Sequence, residues 1–82
     1  MRARVVVLPR PDILDPQGRA VGHALASLGF AGVRSVRVGR VIDVDLDDGL
    51  DRTTAQAQVE AMGRELLANP VIEDFRVEWP AA

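Results

Sequence analysis

Between Val33 and Asp48 apolar and charged residues alternate over a stretch longer than a strand in a small domain normally runs. Val36, Val38, Ile42, Val44 and Leu46 share one parity, while Arg37, Asp43, Asp45 and Asp47 share the other. Successive side chains of a strand point to opposite faces of a sheet, so this period of two reads as β structure. Arg40 and Val41 interrupt the alternation just after Gly39. A bulge at Gly39–Arg40 absorbs the break with one extra residue; a two-residue hairpin is the alternative. The phase is the same on both sides, which favours the bulge and one long middle strand. A strand that outruns its own domain invites sharing with another subunit, so a homodimer or a dimer of dimers is expected.

Size points the same way. With 82 residues the chain is one domain, residues 1–82. A domain this small buries only about 60–65% of the surface its unfolded chain exposes. Disulfides, a metal or a partner usually make up the difference. Cysteine is absent, which excludes disulfides and thiolate metal sites and leaves the partner. At 48% apolar residues the chain is too hydrophobic for disorder. No apolar run approaches the roughly 18 residues of a membrane span, and the apolar stretch after Arg2 and Arg4 is too short for a secretion signal. A soluble cytoplasmic protein is expected. The net charge of −2 disfavours nucleic acid as a partner. All ten basic residues are arginine, consistent with a GC-rich genome.

The remaining elements follow from caps and periodicity. Ala3–Leu8 is a β-branched run, apolar on both faces and therefore expected to be covered on both sides, and Pro9 should stop it. Asp15 is a good N-cap and Pro16 suits the first helical position. Ala20, Val21, Ala24, Leu25 and Leu28 then form one apolar stripe, and Gly29 should close the helix in the left-handed conformation. Gly18 and Gly22, four apart, leave room for a neighbouring backbone. A second helix is expected from Thr53, with Gln56 completing a capping box. Its stripe is Ala55, Val59, Met62, Leu66 and Leu67, with Asn69 as a left-handed cap and Pro70 as a stop. Phe75, Val77 and Trp79 alternate with Asp74, Arg76 and Glu78 in a last strand. The order β-α-β-α-β predicts an α+β two-layer sandwich, both helices on one sheet face.

Chemistry is hard to find. His23, the only histidine, lies off the apolar stripe and has no orienting partner at a readable spacing. There is no Cys nucleophile and no base–orienter set for a hydroxyl. The acidic run Asp43–Asp51 fails as a calcium loop, because its sixth and twelfth positions are Asp48 and Thr54 in place of Gly and Glu. A solvated strand face followed by an Asp47-Asp48-Gly49 turn fits better. No catalytic residue and no metal site is expected.

The segments Leu14-Asp15-Pro16-Gln17-Gly18-Arg19-Ala20-Val21, Val33–Arg40 and Asn69–Phe75 resemble, in order and spacing, those of the PurS family. Arg40 stands where that family more often has lysine. The resemblance implies a non-catalytic accessory subunit of phosphoribosylformylglycinamidine synthase. It would join a large synthetase subunit to a glutaminase subunit so that ammonia reaches formylglycinamide ribonucleotide. No cofactor would bind here; ATP and magnesium would belong to the large subunit. Gln17, Gly18, Gly39 and Arg40 are the expected partner contacts. Two other readings are an ACT-like small-molecule sensor and a stand-alone dimeric ferredoxin-like enzyme. Ligand-induced stabilisation would mark the first, and turnover without partners the second.

Overall fold

The computed structural model describes residues 1–80. Its elements are β1 (Arg2–Pro9), α1 (Pro16–Ser27), β2 (Arg40–Asp45), α2 (Arg52–Met62) running into a π-helical turn (Gly63–Leu67), and β3 (Glu73–Glu78). The α+β class and the β-α-β-α-β order are as the sequence implies. Among the described residues the strands form one antiparallel sheet in the order β2-β1-β3. Val5 sits opposite both Ile42 and Val77, so β1 is the central strand.

The core is thin. Ala3, Val5 and Val7 point from β1 to one face and are fully buried against Val59 of α2, with Ile42, Leu46, Met62, Phe75, Val77 and Trp79 packed around them. The opposite face of β1, carrying Arg4, Val6 and Leu8, is only half-buried. The expectation of cover on both sides therefore fails within one chain. The strand does end at Pro9, one residue later than expected. Pro9 pairs with Glu73 as the last residue of the β1–β3 register, a strand-end position where a missing N–H is tolerated.

The largest departure concerns α1. Among its described residues Gly18 alone is buried, and Leu28, at the end of the apolar stripe, is 74% exposed. Only α2 covers the sheet. The molecule is accordingly elongated, with extents of 50 × 29 × 14 Å. Instead of the sheet, α1 meets the segment 33–39: Gly22 lies beside Val36, and a Cβ at Gly18 would overlap the Val36 carbonyl oxygen. The close backbone approach suggested by the two glycines is realised here.

The long middle strand is shorter than expected. Residues 33–39 carry no strand assignment, and the ladder to β1 ends at the pair Val7–Arg40. Among the described residues neither a bulge nor a hairpin occurs at Gly39–Arg40. An inserted residue would invert the parity, whereas Val38, Ile42 and Val44 keep theirs. The break marks the end of the sheet.

Several caps shift by a residue or two. Gly29 has φ 98°, and the Gly29 and Phe30 amides donate to Ala26 and Leu25, a Schellman closure as expected. At α2 the N-cap is Asp51, not Thr53; its carboxylate accepts from the Thr54 amide at 2.7 Å and the Thr54 hydroxyl at 3.1 Å. An ionised carboxylate in extended backbone also opposes the positive helix end, so it outcompetes a hydroxyl. Gln56 is thereby released to accept from the Trp79 indole N–H and to donate to Glu60. Asn69 is not left-handed, because no residue other than glycine has positive φ among the described residues. The following Pro70 disfavours helical backbone at Asn69, whose side chain instead accepts from the Val71 amide at 3.0 Å. The π-helical turn widens the helix and rotates Leu66 outward to 82% exposure, so it leaves the predicted stripe.

A Cβ at Gly39 would overlap the Val7 carbonyl oxygen, where β2 closes onto β1. Because backbone must move to relieve that overlap, Gly39→Ala should cost about 1–3 kcal/mol. Chemical denaturation reads this directly; a variant as stable as the parent would contradict the observed end of the β1–β2 ladder.

Candidate functional site

The start of α1, the start of β2 and the start of β3 converge on a cleft of about 340 Å³. Its walls include Ile13, Asp15, Gln17, Gly39, Arg40 and Glu73. The structure thus gathers Gln17, Gly39 and Arg40, three of the four expected contact residues, with the cap residues Asp15 and Pro16. Gly18, the fourth, does not line the cleft. It is buried behind it, where its missing side chain admits the Val36 carbonyl.

Asp15 holds the first wall. Its Oδ1 accepts from the Gly18 amide at 3.1 Å, the expected N-cap, and its Oδ2 accepts from the Val38 amide at 2.9 Å. The second bond was not legible in the sequence, since it spans 23 residues. One carboxylate therefore ties α1 to the strand approach. These amides, Val38 first and then Gly18 and Gln17, hold the Asp15 carboxyl below its ordinary range.

Arg40 holds the second wall. Its guanidinium meets Glu73 in two parallel bonds, Nη1 to Oε2 at 2.8 Å and Nη2 to Oε1 at 3.1 Å. Nη2 also donates to the Leu67 carbonyl. Glu73 in turn accepts from the Asn69 amide at 2.7 Å. Arg40, placed on the core-facing parity of β2, thus finds a counter-ion at the sheet edge and pins the π-helical turn to β3. This forked arrangement needs arginine; a lysine ammonium could not reproduce both parallel bonds. Arg40, and then the Asn69 amide, lower the Glu73 pKa, while Glu73 raises that of Arg40. The side chain of Arg40 is still half exposed on the cleft. Three of its five N–H groups are used by Glu73 and Leu67.

The acidic run is dispersed as a strand face and turns. Asp43 pairs with Arg4 at 2.8 Å and Asp45 with Arg2 at 2.9 Å across the β1–β2 ladder. Asp47 accepts from the Gly49 amide at 3.0 Å. No group of three His, Cys, Asp or Glu side chains converges among the described residues, and no helix there is long and apolar enough to cross a membrane. His23 is exposed on α1. The cleft offers shape, paired charge and backbone polarity, which suits holding a surface in place.

Residues 2–81 match the family model described as PurS, phosphoribosylformylglycinamidine (FGAM) synthase. The chain is 44% identical over 78 residues to phosphoribosylformylglycinamidine synthase subunit PurS of Synechocystis, spanning 95% of this chain and 77% of that one. The corresponding subunit of Mycobacterium leprae is 41% identical over 76 residues, spanning 93% and 91%. Among solved structures, Bacillus subtilis PurS superposes with a TM-score of 0.77 at 38% identity over 94% of each chain. A chain of PurLQS from Thermotoga maritima superposes at 0.82 with 26% identity, over 94% of this chain and 93% of that one.

The depressed carboxyls fix the sign of the acid response. Asp15, Asp51 and Glu73 are all held below their ordinary values. Their contribution is complete above the unfolded carboxyl range, about pH 4–5, and is lost as pH falls through the lower folded values. The melting temperature should be level near neutrality and fall below about pH 4. Asp15→Ala should melt several degrees lower at pH 7, and its deficit should narrow toward pH 2. A deficit independent of pH would mean that Asp15 does not act through its charge.

Proposed function

The chain belongs to the PurS family, and from that premise we propose how it serves its complex. As a PurS subunit it is an accessory part of phosphoribosylformylglycinamidine synthase, a ligase of purine biosynthesis. On our reading it bridges a large synthetase subunit and a glutaminase subunit, so that ammonia released from glutamine meets the activated formylglycinamide ribonucleotide. ATP and magnesium are assigned to the large subunit. The observation that most supports this reading is the likeness, over nearly the whole chain, to a chain of PurLQS from Thermotoga maritima. The contribution of this subunit is positional: it aligns the partners and brings no reacting group.

The same reading places the partner contact at the cleft, on Gln17 and the exposed side of Arg40. It also gives the uncovered side of α1 to a second copy, in a dimer or a dimer of dimers. Val21 and Leu28 are exposed on the predicted stripe. Burying them would supply the apolar area that one chain lacks.

Reconstitution tests the bridge. Glutamine-dependent synthesis by the other two subunits should require this chain, while synthesis from added ammonia should proceed without it. Equal glutamine-dependent rates with and without the chain would remove the bridging role. Gln17 makes no side-chain hydrogen bond among the described residues, so Gln17→Ala probes the contact without disturbing the fold. It should weaken assembly several-fold in a titration. Light scattering tests the self-association: a stable monomer at micromolar concentration would rule it out.

A further inference from the structure

Charge is distributed unevenly along this chain. Residues 16–42 hold Arg19, Arg34, Arg37, Arg40 and the single histidine, His23, and contain no Asp or Glu, although the chain has 12 acidic residues in all. Most of the other arginines are neutralised within the fold: Arg2, Arg4, Arg10 and Arg76 each meet a carboxylate, as Arg40 does. The side chains of Arg19 and Arg34 make no hydrogen bond or ion pair among the described residues. Both line one cleft of about 370 Å³ between α1 and the segment 33–36.

That cleft has a definite construction. Arg19 and His23 stand one turn apart on α1, which places them on the same side of the helix. Arg34 and Ser35 form the facing wall, and Gly18, Gly22 and Ala26 keep it open. The close approach of Gly18 to the Val36 carbonyl joins the two walls, and the Asp15 bond to the Val38 amide locks them. Helical geometry puts Arg19 and His23 on the side of α1 away from Val21, Leu25 and Leu28. A copy seated on the apolar stripe would leave this side open.

We propose that this cleft is a binding site for a phosphate monoester. Two guanidinium forks without a counter-ion, an imidazole and a hydroxyl supply donors on opposed walls, and no carboxylate lines the cleft to compete. Guanidinium matches a phosphate in parallel, charge-assisted hydrogen bonds. The volume accommodates a small phosphorylated molecule. The site lies apart from the Gln17–Arg40 cleft, and its occupancy is measured on the isolated chain, independently of assembly.

His23 is the only histidine, so its ring protons report the cleft without ambiguity. Ribose 5-phosphate, the probe, is titrated at fixed pH and constant ionic strength set with sodium chloride, with ribose as control. The expected result is a saturable shift of the His23 signals with ribose 5-phosphate and none with ribose. Arg19→Ala and Arg34→Ala should each weaken the affinity about tenfold, the loss of one charge-assisted contact. Both side chains are exposed, and far-UV circular dichroism should confirm that each variant is folded. Inorganic phosphate saturating with comparable affinity would also support the site. A linear, non-saturating response, an equal response to added chloride, or unchanged affinity in both arginine variants would overturn it. Saturation by an oligoglutamate peptide without saturation by ribose 5-phosphate would overturn it as well, assigning the cleft to an acidic protein segment.

Discussion

The carboxylate of Asp15 is the constraint on which the outer half of this molecule depends. One oxygen caps α1 at Gly18, and the other holds Val38 just before the sheet begins. Without the second bond, α1 would be joined to the body mainly by its connection to β1 and by the contact of Gly18 with Val36. A charged acceptor suits both tasks, because each bond goes to a backbone N–H that would otherwise lack a helix or sheet partner. The helix start, the edge of the Gln17–Arg40 cleft and the wall of the basic cleft all rest on this side chain.

The body has a different source of order. Ala3, Val5 and Val7 are fully buried, but all three are small, and the large hydrophobics around them stay partly exposed. A three-stranded sheet with one helix on it has little apolar area to remove from water. Polar links therefore frame its margin: Arg40 with Glu73 at one end, and Trp79 with Gln56 at the other. The Trp79 ring also lies 4.3 Å from the Arg52 guanidinium carbon, a cation–π arrangement that shields the sheet end. These contacts orient the elements more than they stabilise them, since exposed ion pairs contribute at most about 1 kcal/mol each.

What the sequence shows well here is local. Asp15-Pro16 and Gly29-Phe30 act through bonds spanning a few residues, and each behaves as its chemistry requires. The alternation of Phe75, Val77 and Trp79 is equally legible, because one face of β3 is buried and the other is wet. Misreadings arise where two local solutions compete or where the decision is tertiary. Asp51 and Thr53 could both cap a helix, and the stronger acceptor prevails. The π-helical turn leaves no simple mark in the pattern, so Leu66 belongs to the stripe by spacing and leaves it in the fold. The placement of α1 could not be read from its stripe, which says that a face must be covered without saying by which molecule. Of the candidate site, Gly39 and Arg40 are legible as a break in the alternation and Gln17 only through the family resemblance, but Glu73 is not legible. It is remote in sequence, and it became visible only once β3 was placed beside β1.

Arg40 shows how a feature flagged for function can have a structural cause as well. A charge on the core-facing parity of a strand is costly unless it reaches a counter-ion or water. Here the sheet ends at that residue, the π-helical turn presents the Leu67 carbonyl, and Glu73 at the start of β3 comes within 2.8 Å. The three elements meet because the charge must be satisfied there, and the meeting shapes the cleft. Since Glu73 and Leu67 use only part of the guanidinium, the residue that closes the fold still turns donors toward the surface. In an accessory subunit this economy is physically sensible: a contact whose geometry is already locked by the fold loses less side-chain entropy on binding than a free arginine would.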